Sequence, residues 1–358
     1  MRGTNTRKTQ ARKSLAVIGT LALLLVVVAA ASAAVGEVYL PLGEQVRFVL
    51  SGVGLSDAAE LPAMHEQILR IRLPRILLGL VVGCALALSG GVMQGVFRNP
   101  LADPYLLGVS SGATAGAASA IALGFSGQSL PISLGALAGG FLAVSLVYGL
   151  SVTRLGKLSD YTLILSGIAI AALFGALTSF LIFIFSEGEE LRQIIFWMLG
   201  SLDGASLDLE LLSVMLLVLA GALLVQVFAR DLNAHMLGDD MAAHLGVDPQ
   251  LLKKILLLVC TLLTATVVSM AGVIGFVGLI VPHAIRLAFG PDHRLLLPAA
   301  GLAGATFLVL CDTASRTVLP YEVPVGIITA LFGAPFLLYL LRRPRAKGSP
   351  QGSAGAHR

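Results

Sequence analysis

Charged side chains are scarce in this chain of 358 residues. Asp, Glu, Lys and Arg make up only 12% of it, about half of their share in an ordinary soluble domain. Apolar residues make up 56%, and the mean hydropathy is +0.90. Because a helix needs roughly 20 apolar residues to cross a bilayer, this supply corresponds to about ten crossings. The composition therefore excludes a soluble globular domain, a disordered protein and a secreted disulfide scaffold.

Several common site motifs are also absent. The three cysteines (Cys84, Cys260 and Cys311) lie in apolar runs without a Cys-x-x-Cys spacing, which indicates small core residues rather than metal ligands or a disulfide. The chain has no Gly-x-x-x-x-Gly-Lys-Ser/Thr phosphate loop and no His-Glu-x-x-His zinc motif. His235 and His244 are too far apart in sequence to form a metal pair on one helix face. We therefore expect no catalytic residue, no metal ion and no cofactor bound by this chain itself.

The apolar residues form runs separated by short polar breaks. These runs predict an all-α polytopic membrane protein with about ten transmembrane helices. The first run could be a signal peptide cleaved after Ala31-Ser32-Ala33, but it is longer than such segments usually are, so we expect an uncleaved helix. Segment 187–210 is ambiguous, because Phe196-Trp197-Met198 could be a short interfacial or re-entrant piece. The predicted helices are 15–36, 74–97, 107–125, 131–152, 161–186, 193–200 continuing irregularly to 211–229, 252–271, 273–289, 295–319 and 324–341.

The placement of basic residues predicts the orientation in the membrane. With the N-terminus in the cytoplasm and the helices alternating, 18 of the 24 Lys and Arg residues fall on the inner side. Because basic residues concentrate on the cytoplasmic side of membrane proteins, both termini are predicted to be cytoplasmic. The predicted organisation is a cytoplasmic tail (1–13), a single transmembrane domain (14–343) and a second cytoplasmic tail (344–358). Segment 230–250 is the longest inner loop.

Many of the 40 glycines are spaced by four residues. Gly79 and Gly83 form one such pair, and Gly108, Gly112 and Gly116 form a ladder. Such faces let helix backbones approach each other closely in lipid. The glycine pattern therefore predicts a tightly packed bundle.

A set of motifs in a fixed order carries a resemblance to a known family. The chain resembles the permease subunits of ABC importers for iron-siderophores, haem and vitamin B12, which are type II importers of the FecCD type. The resemblance covers roughly residues 15–343. The motifs are Arg72-Leu73-Pro74-Arg75, Gly90-Gly91-Val92-Met93-Gln94, Arg98-Asn99-Pro100-Leu101-Ala102-Asp103-Pro104, residues 107–113, residues 275–283 with Arg286, Asp292-His293-Arg294, residues 324–330 and residues 333–336.

The resemblance implies a specific assembly. It implies a bundle of ten helices like that of the vitamin B12 importer permease, a homodimer, and a transport path at the dimer interface in the inner membrane. Two cytoplasmic ATP-binding subunits, which use ATP and Mg²⁺, would bind below, and a periplasmic substrate-binding protein would deliver substrate from above. No nucleic acid is implied as a partner, and the chain would be a transport subunit rather than an enzyme.

Three arginines are candidates for contact with the binding protein. Arg72 and Arg75 are three residues apart on the predicted outer side, so they share a helix face and can present two guanidinium groups to carboxylates. By resemblance, they and Arg316 would dock acidic residues of the binding protein. The other interpretation is that their side chains reach toward lipid phosphates.

Two inner segments are candidates for coupling and gating. Residues 237–246 read as a short helix bounded by glycines, with acids near its start, and by resemblance this helix would contact the ATPase; the alternative is a solvated loop. By resemblance, Ser159, Asp160 and Tyr161 would form a cytoplasmic gate, although the last two are larger than the small polar residues of some relatives; the alternative is a plain connecting turn. The predicted coupling residues are Leu237, Gly238, Asp239, Asp240, Ala242, Ala243, Leu245 and Gly246.

The function predicted from these features is import of an iron complex, siderophore or haem, by ATP-driven alternating access. A cobalamin importer permease and a metal-ion permease of a sister ABC family are close alternatives. A secondary transporter that works without an ATPase is an alternative from another class, but it usually carries a charge in the middle of a span. Asp312 comes nearest to such a charge and could instead belong to a buried polar pair. Paired catalytic residues of an intramembrane enzyme are not evident.

Overall fold

Helices make up nearly all of the described part of the chain, which confirms the predicted all-α class. The computed structural model describes residues 2–36, 38–52, 62–127, 129–152, 156, 158–185 and 188–342, with the side chains of 2–11 and 341 left aside. The helices are α1 (Arg2–Ala34), α2 (Leu42–Gly52), α3 (Ala63–Val96), α4 (Val109–Ala120), α5 (Ser129–Ser151), α6 (Asp160–Ile184), α7 (Glu189–Leu199), α8 (Leu209–Val227), α9 (Ala229–His235), α10 (Asp239–His244), α11 (Pro249–Ala271), α12 (Val277–Phe289), α13 (His293–Thr317) and α14 (Val325–Arg342). A 3₁₀ turn (Pro104–Leu107) precedes α4 and a π-helical turn (Ile121–Phe125) follows it.

The long apolar helices match the predicted spans. Within the described residues, seven helices are long and apolar enough to cross a membrane. Three shorter apolar helices occupy the remaining predicted positions, namely Val109–Phe125, Val277–Phe289 and Val325–Leu340. Of the predicted tails, residues 344–358 lie outside the described part, and α1 extends back to Arg2 through most of the other.

Two features of the N-terminal half differ from the prediction. Helix α3 begins at Ala63 rather than at residue 74, because the polar segment before Pro74 is also helical and Glu66 accepts hydrogen bonds from Arg70 one turn later. Helix α2 was not predicted, since it is short and only half apolar. Both extra helical segments adjoin the same end of α3.

The helix predicted over 273–289 begins late, because a non-helical segment separates α11 from α12. Gly272 (φ 68°) and Phe276 (φ 69°) both adopt left-handed backbone conformations, which end one helix and delay the next. The Tyr105 hydroxyl donates a hydrogen bond of 2.9 Å to the carbonyl oxygen of Ile274. This bond satisfies a backbone group that a continuous helix would have satisfied by itself.

Helix α3 is the central element, buried along most of its apolar length and packed against α8, α11, α12 and α13. Helices α4, α5 and α6 form a second group, which packs mainly on α11. Close backbone contacts hold both groups, as the glycine spacing predicted. Gly83 packs on Gly304 between α3 and α13, and the predicted ladder residue Gly112 packs on Gly139 between α4 and α5.

Replacing Gly90 with Ala is expected to lower the free energy of unfolding by about 2–3 kcal/mol. A Cβ atom on Gly90 would collide with the carbonyl oxygen of Gly278, a backbone atom of α12 that cannot rotate away. The measurement is thermal or denaturant unfolding of the purified protein in detergent.

The matched control is Gly175→Ala in α6. A Cβ there meets nothing within 4 Å, so this change should be neutral or stabilising by up to about 1 kcal/mol through helix propensity. Equal losses for Gly90→Ala and Gly175→Ala would contradict the packing argument.

Candidate functional site

Helix α3 connects two groups of charged side chains at its opposite ends. About 30 Å of helix lies between Arg75, in the first half of α3, and Val96 at its end, which is close to the thickness of a bilayer's hydrocarbon core. We call the first group the arginine cluster and the second the loop cluster. The arginine cluster comprises Arg72, Arg75, Asp203, Asp312, Arg316 and Glu322, and the loop cluster comprises Arg98, Asp160, His235, Asp239 and Lys253.

Asp312 is the centre of the arginine cluster and has a side chain only 1% exposed. It accepts a hydrogen bond of 2.7 Å from Arg75 Nε and one of 3.1 Å from Arg316 Nε. Arg75 also donates to Glu322 at 2.8 Å and to Asp203. The expectation that Asp312 belongs to a buried polar pair is thus confirmed.

All three candidate docking arginines line one cavity. The cavity has a volume of about 860 Å³ and lies beside the end of α1. Arg72 donates to the carbonyl oxygen of Ala33 (3.0 Å), and Arg316 donates to the hydroxyl of Ser32 (3.0 Å). The spacing of Arg72 and Arg75 predicted that they share a helix face, whereas Arg316 was assigned the same docking role by the resemblance. Docking itself stays a prediction, and it has to account for the carboxylates that already hold Arg75 and Arg316 and for the contacts that Arg72 makes within the chain.

The carboxylates of Asp203 and Glu322 were missed at the sequence level. They come from loops far from Arg75 in the chain, so no spacing indicates the contact. The pair Asp312–Arg316 did carry a signal, because acid and base are four residues apart on one helix face.

Helix α10 confirms the predicted short helix bounded by glycines. Gly238 (φ 116°) precedes it and Gly246 (φ 83°) follows it, and both adopt backbone conformations that favour glycine. Leu237, Met241 and Leu245 expose 67%, 51% and 60% of their surface, respectively. The short helix therefore presents an apolar surface to the outside of the chain.

Ala242 differs from the expectation that it faces a partner. Its side chain is fully buried, because it lies on the face of α10 that turns back toward α9 and α11. The neighbouring Ala243, Asp240 and His244 are exposed. Met241, which was not among the predicted coupling residues, takes the outward position instead.

Asp239 at the start of α10 is held by Arg98, which comes directly after α3. Arg98 also donates to the carbonyl oxygen of His235 at 2.9 Å. Although burial alone would raise the pKa of Asp239, the hydrogen bond from Arg98 and the positive charges of Lys253 and Arg98 lower it below its ordinary value. The Asp239 carboxylate is therefore ionised at neutral pH.

His235 is fully buried beneath α10. Burial lowers the pKa of its imidazole, and the nearby charges of Arg98 and Lys253 lower it further, against the opposing hydrogen bond to Val96 and the charge of Asp239. Its Nε2 lies 3.0 Å from the carbonyl oxygen of Val96. A neutral ring that donates from Nε2 fits this geometry. His235 thus ties the loop to the end of α3 as a structural residue.

The candidate gate residues lie at the start of α6. The Ser159 hydroxyl accepts from the backbone nitrogen of Thr162 (3.4 Å) as the N-cap of the helix. Asp160 accepts two hydrogen bonds from Lys253, and Tyr161 is 76% exposed. The three residues therefore divide into a cap, an ion-pair partner and an exposed aromatic ring.

No described group of three or more His, Cys, Asp or Glu side chains is arranged to hold a metal ion. The described cysteines Cys84, Cys260 and Cys311 are free thiols. Both charged clusters instead contain arginine or lysine beside carboxylates. Their chemistry is that of ion pairs that hold segments together.

Known proteins resemble this chain over most of its length. The model of the FecCD transport family matches residues 23–343. The cobalamin import system permease protein of Halobacterium salinarum is 49% identical over 273 residues, which are 76% of this chain and 72% of the relative. The hemin transport system permease protein of Yersinia pestis is 44% identical over 336 residues, 93% of this chain and 97% of the relative. A solved inward-facing structure of a metal-chelate type ABC transporter is similar with a TM-score of 0.78 and 35% identity, over 92% of this chain and 100% of that chain.

Proposed function

Because the chain belongs to the FecCD transport family, we propose that it is the membrane-spanning permease of an ATP-driven importer whose substrate is an iron complex, a siderophore or haem. It spans the membrane with the helices described above. The working unit in this proposal is a homodimer in the inner membrane, with both termini in the cytoplasm. ATP and Mg²⁺ are used by two separate ATPase subunits.

The apolar surface of α10 is the observation that carries the proposal. Leu237, Met241 and Leu245 project from a short helix held at a fixed place by two left-handed glycines. An exposed apolar patch on a charged loop is typical of a protein contact. A cytoplasmic ATPase with a complementary groove fits this patch, and its movement on ATP binding would be passed to α10.

The opposite end of the bundle suits a binding protein. Acidic side chains of such a partner would compete for Arg72 and Arg75 with the contacts that both arginines already make within the chain, including those of Arg75 with Glu322 and Asp203. Both competing carboxylates are about half exposed, at 52% and 54%, so water can replace Arg75 as their partner when they leave it. Docking therefore rearranges existing ion pairs at this end.

The transport path in this proposal lies between two copies of the chain. Helix α6 offers an uncovered apolar face to a second copy or to lipid, with Leu165, Phe180 and Phe183 exposed by 51%, 59% and 79%. ATP binding would close the two ATPases, move α10 and open the interface outward. Hydrolysis and release would reset it, which is alternating access driven by ATP.

An iron complex is the proposed substrate because the family resemblance is to importers of siderophores and haem, and one relative is named for hemin. Cobalamin is the second candidate, because another relative is named for its import. The transport path would contact either ligand through few residues, so the choice rests on measurement.

Uptake into proteoliposomes tests the proposal. The vesicles contain the chain alone or together with its co-purified ATPase and binding protein, and the probes are ⁵⁵Fe-siderophore, ⁵⁵Fe-haem and ⁵⁷Co-cobalamin. We expect uptake of an iron probe that requires all three proteins and ATP. Uptake by the chain alone would instead indicate a secondary transporter, and uptake of cobalamin without iron would favour the second candidate.

A further inference from the structure

Lys253 is a buried cation between two candidate working segments. It lies in the second turn of α11 with a side chain only 4% exposed. Its Nζ atom is 2.9 Å and 3.0 Å from the two carboxylate oxygens of Asp160, at the start of α6. The same nitrogen is 3.7 Å from Oδ2 of Asp239, at the start of α10. One ammonium group thus faces one carboxylate from the candidate gate and one from the candidate coupling helix.

The start of α11 is also tied to both segments through the backbone. The side-chain oxygen of Gln250 accepts a hydrogen bond of 2.8 Å from the nitrogen of Leu158, just before Asp160. Gln250 and Lys253 are three residues apart, so they present one helix face to this segment. On the other side, the nitrogen of Val247 donates to the carbonyl oxygen of Ala242 in α10 (3.0 Å). A displacement of α10 therefore reaches α11 within a few residues.

Arg98 forms an ion pair with Asp239, and its backbone adopts an unfavourable left-handed conformation. The nitrogens of Arg98 and Asn99 bond the carbonyl oxygens of Gly95 and Gln94, which is the Schellman motif that ends α3. The left-handed position of this motif usually holds glycine, yet here it holds Arg98 (φ 47°). A non-glycine residue in this conformation is typical of a functional constraint. The result is a continuous series of charges, Arg98–Asp239–Lys253–Asp160.

We propose that Lys253 is a positioning residue that passes the movement of α10 to the start of α6 by exchanging its ammonium group between Asp160 and Asp239. In the structure Asp160 holds the ammonium at hydrogen-bond distance and Asp239 does not. Moving α10 toward α11 by about 1 Å would bring Asp239 within hydrogen-bond distance. The hydrogen bonds between Lys253 and Asp160 would then break, and the first turn of α6 would lose its contact with α11. The inference rests on the proposed function, because it assigns a role within the same cycle.

The experiment measures how accessible the start of α6 is to a labelling reagent. Tyr161→Cys is introduced into a chain in which the three cysteines are replaced by Ala, and the complete transporter with its ATPase is placed in nanodiscs. The rate of reaction with a water-soluble maleimide is measured without nucleotide and with ATP and vanadate. Because Tyr161 follows Asp160, release of α6 should change its labelling rate several-fold.

Lys253→Met is expected to abolish this nucleotide response while ATP hydrolysis continues. Lys254→Met is the matched control, since it removes the same charge one residue later, where Lys254 reaches the backbone oxygen of Gly156 rather than a carboxylate. The control should keep the response. A preserved response in Lys253→Met would overturn the proposal.

Asp239→Asn separates exchange from simple structural support, and it covers the case in which Lys253→Met does not fold. This variant leaves the pair of Lys253 with Asp160 intact and weakens only the partly exposed contact of Asp239 with Arg98, so its Tm should stay near that of the unmodified chain. Exchange predicts that the nucleotide response is nevertheless lost, whereas a static pair predicts that it is kept. Lys253→Arg should retain the response.

The outcomes also separate the inference from the function on which it rests. If the chain with Tyr161→Cys and no change in the loop cluster shows no response to nucleotide although its uptake requires ATP, only the exchange is overturned, whereas uptake that does not require ATP overturns the proposed function. If this chain responds and both Lys253→Met and Asp239→Asn respond equally, only the exchange is overturned.

Discussion

Replacing Asp312 with Asn is expected to lower the free energy of unfolding by about 3–5 kcal/mol, the usual cost of removing one partner from a buried ion pair. The side chains of Arg75 and Arg316 are 8% and 7% exposed, and both rely on Asp312. Arg316 would lose its carboxylate while remaining buried. Thermal unfolding of the purified protein in detergent measures the loss.

The matched control is Asp203→Asn, which removes another carboxylate from the same arginine. Because the Asp203 side chain is 54% exposed, water can replace it, and the expected loss is at most about 1 kcal/mol. Equal losses for the two variants would show that burial does not determine the strength of this cluster. Stabilisation by Asp312→Asn would contradict the ion-pair account altogether.

Replacing Leu245 with Asp is expected to weaken binding of the ATPase subunits at least about 30-fold, which corresponds to a loss of about 2 kcal/mol for a central interface residue. The side chain is 60% exposed, so the chain itself should fold and unfold as before. A charge placed in an apolar contact is costly because its water is removed without a partner. Titration of the ATPase onto the nanodisc-embedded chain measures the affinity.

The control for this prediction is Leu207→Asp, at the beginning of the segment that enters α8. Leu207 is also exposed, at 61%, but it lies at the end of the bundle with Asp203. ATPase binding should therefore be unchanged. Equal weakening by Leu207→Asp and Leu245→Asp would contradict the prediction that α10 contacts the ATPase. Unchanged binding in both variants would contradict it as well.

Much of the fold was predictable because it depends on local composition. Apolar length places the spans, and regular glycine spacing places close contacts such as Gly112 with Gly139. The two glycines around α10 also give a signal, because they stand at the ends of a short helical pattern. In each case the residues that decide the structure lie within a few turns of one another.

The charged clusters were not predictable in the same way. Arg75 meets Asp203 and Glu322 from two distant loops, and Lys253 meets Asp160, which lies 93 residues earlier in the chain. Such contacts depend on how whole helices pack, which no spacing in a single sequence encodes. The sequence analysis singled out Arg75 for docking to another protein and Asp160 for the cytoplasmic gate, whereas the structure places an internal partner beside each of them.

The length of α3 limits how this molecule can change shape. From Pro74 to Val96 the helix is about 33 Å long, so a tilt of roughly 5° about one end would shift the other end by about 3 Å. Such a shift would break the contact between Arg75 and Asp312 if α13 stayed in place. The backbones of Gly83 and Gly304 are in close contact. We therefore expect α3 and α13 to move together as one rigid unit. The group of α4, α5 and α6 packs mainly on α11 rather than on α3 or α13, so a movement between the two groups has to pass through α11.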